Sequence, residues 1–232
     1  VILERKGSKV GLVTTAGFRD VLEMAREVRY DLFDMFIRMP EPLVPRALRL
    51  TVDERTLADG SILRPLDEAT VRAAAARFRA DGVEAIAVCF LHSYRNSSHE
   101  KRATQILREE LPEVVLSLSH EVHPEPKEYE RASTTVVDAY VKRVAERYLD
   151  QLAVDLAARG YRERLYVMLS NGGTATVETA KRVPVQIVES GPAAGVEAAA
   201  FFAKLTGLSR VLAFDMGGTT AKLCIVHHGR AA

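Results

Sequence analysis

The chain has 232 residues, enough to bury a sizeable core, and its 47% hydrophobic and 27% charged content is that of an ordinary globular protein. Lys and Arg (32) nearly balance Asp and Glu (31), which leaves no global field toward nucleic acid or an anionic membrane surface. Its two cysteines, Cys89 and Cys224, lie in strand-like apolar runs, which excludes a disulfide scaffold and fits a reducing, cytoplasmic setting. No apolar stretch has the length of a membrane span, and the first residues lack the order of a signal peptide, so Asn96-Ser97-Ser98 matches a glycosylation sequon by chance.

In chain order, "KVGLVTT" predicts a strand and the segment from about Ala16 to Arg26 an amphipathic helix. Pro40, Pro42 and Pro45 then mark a loop, because proline removes donors and fixes φ. "ALRLTVDERT" alternates apolar and polar residues, the pattern of a half-buried strand, and is expected to pair with "SILRPL" through a turn at Asp59-Gly60. "DEATVRAAAARFRADG" carries acidic residues at its start and Gly82 at its end, both signals of a helix. "VEAIAVCFLH", "SSHEKRATQILREEL" and "EVVLSLSH" read as strand, helix and strand, a βαβ unit of a mainly parallel sheet.

A long helix is predicted from Tyr129 to Arg159, with Val137, Val141, Val144, Tyr148, Leu152 and Leu156 on its buried face. Next come a strand "RLYVMLS", the loop "NGGTAT", a short helix over Glu178 to Arg182 and a strand "VQIVE". "SGPAAGVEAAAFFAKLTG" is a small-residue helix with Ser190 as candidate cap, Pro192 in its first turn and Gly207 as its stop. It leads into "VLAFDMGGTTAKLCIV", two apolar runs that read as a buried hairpin broken by a polar bend.

That bend holds the most informative residues. The first run delivers Asp215 to its carboxyl end, Gly217 and Gly218 make the turn, and the second run returns. Glycines open backbone conformations closed to other residues and let main-chain N–H groups approach an anion, which suits phosphate. Asp215 would face a phosphate-bound Mg²⁺, since magnesium takes oxygen ligands and keeps its water. Thr219 and Thr220 add hydroxyl donors, and Lys222, odd inside an apolar strand, either snorkels at an edge or reaches a phosphate. The bland alternative is a plain Gly-Gly hairpin with an exposed aspartate. No Walker P-loop and no G-x-G-x-x-G fingerprint occurs, so a nucleotide would have to be held by a hairpin cradle.

The quoted hairpin resembles the second phosphate loop of the actin, sugar-kinase and heat-shock-chaperone ATPase superfamily, and "ESGPAAGVEAAAFFA" resembles the helix before it. More narrowly, "ERKGSKVGLVTTAGFRDVLEMAR", "PEPLVPRALRL", "GVEAIAVCFLHSYRNSSHE", "EVHPEPKEYERASTTVVDAYV", "MLSNGG", "SGPAAGV" and "FDMGGTT" make the chain similar throughout to the hydantoinase A and 5-oxoprolinase family. The resemblance implies an actin-like α/β ATPase fold with an inserted βαβ module. It implies residues 1–190 as the remainder of a first domain and 191–232 as a connecting helix and the start of a second. It further implies ATP-dependent, Mg²⁺-assisted opening of a cyclic amide (hydantoin, N-methylhydantoin or 5-oxoproline) by phosphorylation of the ring amide oxygen, with a second large hydantoinase B-like subunit or fused domain and an oligomeric assembly. Family relatives include ATP-dependent acetone and acetophenone carboxylase subunits, which stay open as an alternative, as does a chaperone- or actin-like ATPase that turns over no small substrate. The family's first phosphate loop has no counterpart here, and both ends read as cut from a longer chain, so residues 1–232 alone are expected to lack ATPase activity.

Other candidates carry plainer readings beside functional ones. In "EPKEYERASTT", Glu128 and Arg131 lie three apart on one helix face and are candidates to bind a polar substrate or relay a proton, although acidic residues also simply favour a helix start. Asn171, Gly172 and Gly173 follow a strand, where ligand loops occur, and are candidate substrate contacts or a plain turn. Ser190 and Gly191 open a helix whose free N–H groups suit an anion or need only a cap. His120-Glu121-Val122-His123 has its histidines three apart instead of the four of a zinc helix, and His92 and His99 flank a loop in capping or surface positions, or, in a functional reading, contact substrate or orient the carboxylates.

Overall fold

The computed structural model describes residues 1–218 and 220–231. The chain divides into two compact units, residues 1–145 and 146–232. The first is built on a four-stranded parallel sheet in the order β2-β1-β5-β6, from β1 (Val10–Thr15), β2 (Arg49–Val52), β5 (Ala85–Cys89) and β6 (Val115–Leu118). Val13 stands beside Leu50 and Val88 beside Leu118 in its register. Every residue of β1 and β5 is buried, so both faces of the central strands are covered. The cover comes from α2 (Glu68–Ala80), α3 (Ser98–Glu110) and the first turns of α5 (Glu128–Ala158), whose Phe78, Ile106, Leu107, Val136 and Tyr140 share one core with Leu12, Val13 and Ile86.

The expected βαβ unit is β5-α3-β6, and α2 begins at an Asp67 side chain that accepts the Ala69 N–H. Other expectations need correction. The helix over Ala16 to Arg26 shrinks to α1 (Val21–Met24), because Gly17 and Ala25 at its two ends adopt positive φ. "ALRLTVDERT" is two strands: β2 joins the parallel sheet, while β3 (Arg55–Thr56) pairs across the Asp59-Gly60 turn with β4 (Ile62–Arg64). In α5 the buried stripe runs through Ala132, Thr135, Val136, Ala139 and Leu149, and Tyr148 is exposed.

In the second unit, β7 (Tyr166–Met168) and β8 (Thr174–Thr176) form a hairpin, and α6 (Val177–Arg182) starts at a Thr176 cap. "VQIVE" is not a strand: Pro184 heads a 3₁₀ turn to Ile187. Then α7 (Ser190–Thr206) packs on β9 (Arg210–Met216) and β10 (Ala221–His227), which are antiparallel, with β11 (Arg230–Ala231) at the edge. Glu189, in the left-handed conformation at φ 66, precedes α7 in the place expected for Ser190, and Gly207 ends the helix at φ 70. The β9–β10 hairpin is buried on one face only: Leu212, Phe214, Met216, Leu223 and Ile225 on the other are all more than half exposed.

Candidate functional site

In the second unit, a cavity of about 450 Å³ lies between the start of α7 and the β9–β10 hairpin. Its lining includes Ser170, Glu189, Pro192, Gly195, Asp215 and Lys222. Asp215 occupies the penultimate position of β9 and stands opposite Lys222 in the ladder. The ammonium of Lys222 is paired with the Glu189 carboxylate. Of the two readings of Lys222, edge snorkelling gives way to an ion pair at the cavity wall.

The bend itself is exposed, and a Cβ added at Gly217 or Gly218 would meet nothing within 4 Å. Two parts of the sequence argument change. The described backbone gives neither glycine a positive φ, so what they contribute is open approach and not an unusual conformation. The Gly217 N–H is taken, donating to Thr220 O at 3.0 Å and closing the hairpin. Thr219 lies outside the described residues, and Thr220 is exposed beside the bend. At the other wall, α7 presents its N-terminal turn, with Glu189, Pro192 and Ala193 at the cavity and Ser190 and Gly191 as its first residues. A helix N-terminus carries free N–H donors and a partial positive charge, an electrostatic match for an anion.

Asn171, Gly172 and Gly173 form the turn of the β7–β8 hairpin. Asn171 Oδ1 accepts the Gly173 N–H at 2.9 Å and Gly172 sits at φ 83, so the chemistry of these residues is absorbed by the turn. The preceding residue, Ser170, reaches the cavity, and its N–H donates to Gln186 O at 2.7 Å.

The first unit carries its polar groups at the carboxyl ends of its parallel strands. Glu54 and Glu100 are both fully buried. Glu54 accepts from Thr15 Oγ1 and lies 2.7 Å from His99 Nδ1. Glu100 accepts from Phe90 N at 2.9 Å, Ser119 Oγ at 2.6 Å and His120 N at 3.1 Å, with His120 Nδ1 at 2.6 Å. His99 is thus a buried partner of a carboxylate, not a loop or surface group, and His120 is engaged by Glu100. Nothing in the sequence marks Glu54 or Glu100 as interior, since each sits among charged neighbours and its partners are distant in the chain.

Arg131 is 1% exposed and donates from Nη2 to Phe90 O at 2.6 Å, while its Nε and Nη1 have no hydrogen-bond partner. With Glu128 it lines a cavity of about 10 Å³ that also touches Thr14, Phe18, Val21 and Cys89. Burial pushes the Cys89 thiol up to about 11, against the opposing pull of the Arg131 charge. Glu130, between them in sequence, instead pairs with Arg26 at 2.8 Å, and its own backbone N–H together with Arg26 holds its carboxyl below the usual range.

Residues 1–111 match the hydantoinase/oxoprolinase N-terminal region, and residues 131–232 match the hydantoinase/oxoprolinase domain. The chain is 38% identical over 231 residues to the caprolactamase subunit alpha of Pseudomonas jessenii, covering 99% of this chain and 33% of that protein. It is 31% identical over 257 residues to the 5-oxoprolinase of Saccharomyces cerevisiae, covering 98% of this chain and 19% of the relative. The nucleotide-free structure of an ATP-dependent acetone carboxylase superposes with a TM-score of 0.88 at 32% identity, covering 98% of this chain and 34% of that one. The chain thus spans between 19% and 34% of the length of these relatives. Among the described residues no helix is long and apolar enough to cross a membrane. The fold is α/β of the actin-like ATPase type, and with both family models matched in order along it, the chain belongs to the hydantoinase/oxoprolinase family.

Proposed function

We propose that this chain is part of the nucleotide-handling subunit of an ATP-dependent cyclic-amide hydrolase, acting on a lactam or hydantoin ring. The observation that carries this reading is that Asp215, which leads into an open glycine bend, and the N-terminal turn of α7 line one cavity of about 450 Å³. A single carboxylate, a lysine and unobstructed glycines suit the polyphosphate of ATP. The donor set also fits Mg²⁺: the Asp215 carboxylate lines the cavity, and magnesium takes one or two carboxylates, with phosphate and water filling its shell. Asp215 would hold the ion, which when bound neutralises phosphate charge.

A lactam is a poor electrophile, because nitrogen donates into its carbonyl. Transfer of the γ-phosphoryl group from ATP to the ring oxygen, with loss of the N–H proton, gives ADP and an activated imidate; water adds at its carbon, the ring C–N bond breaks as the nitrogen takes up protons and leaves as the amine, and a second water hydrolyses the resulting acyl phosphate to carboxylate and phosphate. In this scheme Gly217, Gly218, Thr219, Thr220 and Lys222 bind and orient the phosphates, and the α7 start at Ser190 and Gly191 offers backbone donors. Glu128 and Arg131 serve the ring substrate, and Asn171 to Gly173 shape the loop that carries Ser170. The presence of 5-oxoprolinase and caprolactamase among the relatives supports the ring-opening reading, and the subunit names of several relatives support a second large subunit as partner. Carboxylase subunits among the relatives keep ketone activation as a second reading.

The test is ATP hydrolysis by the full-length protein, with its partner subunit, in the presence of 5-oxoproline, a hydantoin, caprolactam, or a ketone with bicarbonate. Stimulation by a cyclic amide supports the proposal. Stimulation by ketone and bicarbonate alone transfers the chain to the carboxylases, and turnover indifferent to every added substrate overturns both.

A further inference from the structure

We infer that Arg131 and Glu128 form a recognition site for a cis-amide edge, with the arginine donating to the ring carbonyl oxygen and the glutamate accepting the adjacent ring N–H. The inference rests on the cyclic-amide reading above and specifies how such a ring is distinguished from a ketone.

Of the fully buried side chains of the first unit, Arg49 and Arg131 are the largest. Arg49 has an ion-pair partner, with Nη1 2.7 Å from Glu23, and its Nε donates to Val44 O. Arg131 has no ion pair among the described residues: its guanidinium lies 5.3 Å from the centre of the Tyr94 ring and beside the Cys89 thiol, and its Nε and Nη1 are buried without a hydrogen-bond partner. The fully buried carboxylate it might have used, Glu100, is committed to Phe90 N, Ser119 and His120. A buried cation left with unmet donors is costly, and native folds keep such groups chiefly where something else completes them.

The space beside Arg131 is about 10 Å³, room for one oxygen-sized group. Glu128 borders the same space, is only half-buried, and makes no ion pair among the described residues. An anion would gain from Arg131 and be repelled by Glu128. A neutral group carrying an acceptor and a donor side by side satisfies both. The constrained amide of a lactam or hydantoin has this arrangement, because the ring forces C=O and N–H onto the same edge. A ketone supplies the acceptor and leaves Glu128 without a donor. The half-buried Phe18 and Val21 at the rim offer apolar contact to ring carbons.

Calorimetric titration of the full-length protein without ATP, using ε-caprolactam, N-methylcaprolactam and cycloheptanone, tests this directly. 2-Pyrrolidinone and its N-methyl derivative serve as the smaller-ring pair. The lactam of the preferred ring size is expected to bind about tenfold more tightly than its N-methyl form, the difference made by one charge-assisted hydrogen bond. Glu128→Ala should lower lactam affinity to the level of the N-methyl compound and leave the latter unchanged, a coupling that a merely structural role does not produce. Arg131→Met should abolish lactam binding in a variant that still melts cooperatively, the removal of a buried charge offsetting the lost bond to Phe90 O. Equal binding of lactam and N-methyl lactam, unchanged lactam affinity in either variant, or no lactam binding at all overturns the inference. Lactam-stimulated ATP turnover in the same preparations reports separately on the ring-opening proposal.

Discussion

Lys222 faces Asp215 across the β9–β10 ladder, and its ammonium is held by Glu189 at the start of α7. Three charged side chains from three elements therefore line one cavity, two of them acidic. A polyphosphate entering it meets a net negative wall unless a divalent cation accompanies it or Lys222 leaves Glu189. Glu189→Gln is expected to tighten ATP binding by the full-length protein, and Lys222→Met to weaken it about tenfold, the value of a charge-assisted contact. Fluorescence titration with a labelled ATP analogue reads both, and equal affinities in wild type and Lys222→Met would remove the lysine from the site.

Gly217 and Gly218 separate folding from binding. Neither has a positive φ, and an added Cβ meets nothing at either position. Gly217→Ala and Gly218→Ala should melt within a few degrees of wild type. Both should bind ATP more weakly, because the methyl group stands where a phosphate would approach. A large drop in melting temperature with intact binding would make the glycines structural.

Gly11 makes the opposite case. A Cβ there would lie 2.4 Å from the Phe78 ring, in a strand that pairs on both sides. Gly11→Ala should cost about 1–3 kcal/mol in urea unfolding of the first unit, the usual size of overpacking. Wild-type stability in that variant would mean that α2 is not seated on β1.

Helices α2 and α3 are joined by Arg72 with Glu109 and Glu110, Arg79 with Glu110, and Arg102 with Glu68. The Arg102 hydrogen bond to Glu68 and the Arg72 and Arg79 bonds to Glu110 hold both carboxyls below their ordinary value of 4.5. A folded-state value below the unfolded one means that these pairs add stability above about pH 4.5 and lose it as pH falls through the folded values. The double variant Glu68→Gln, Glu110→Gln should therefore show a shallower loss of melting temperature between pH 5 and 3 (approximate window) than wild type, with little difference in high salt. An unchanged acid slope would leave these pairs without a stabilising part.

Much of the fold was legible where local signals agreed with tertiary packing. Asp67 and Gly82 bracket α2, the continuous apolar run of β5 reads as a strand buried on both faces, and the hairpin at Asp215 follows from its two apolar arms. The failures come from partners distant in the chain. Glu54 sits among the charged residues of "VDERT", and only the fold reveals its burial beside Thr15 and His99. Pro184 turned an apolar run into a 3₁₀ segment, and of the expected face of α5 Val141 is buried and Val137, Val144, Leu152 and Leu156 are half-buried, while Tyr148 is exposed. Composition and spacing single out Asp215, which lines the cavity of the second unit, and Gly217 and Gly218 in the exposed bend that follows it. Glu189 escaped notice because its role depends on a left-handed backbone and a lysine 33 residues away.

The account rests on Asp215 as the carboxylate that brings magnesium to a nucleotide. Titration of ATP into the full-length protein with Mg²⁺ and with EDTA, in wild type and Asp215→Asn, addresses it most directly. The expected result is tight binding that requires Mg²⁺ in wild type and falls about tenfold or more in the variant, with an unchanged melting temperature. ATP binding of the same strength and the same magnesium dependence in Asp215→Asn would contradict it.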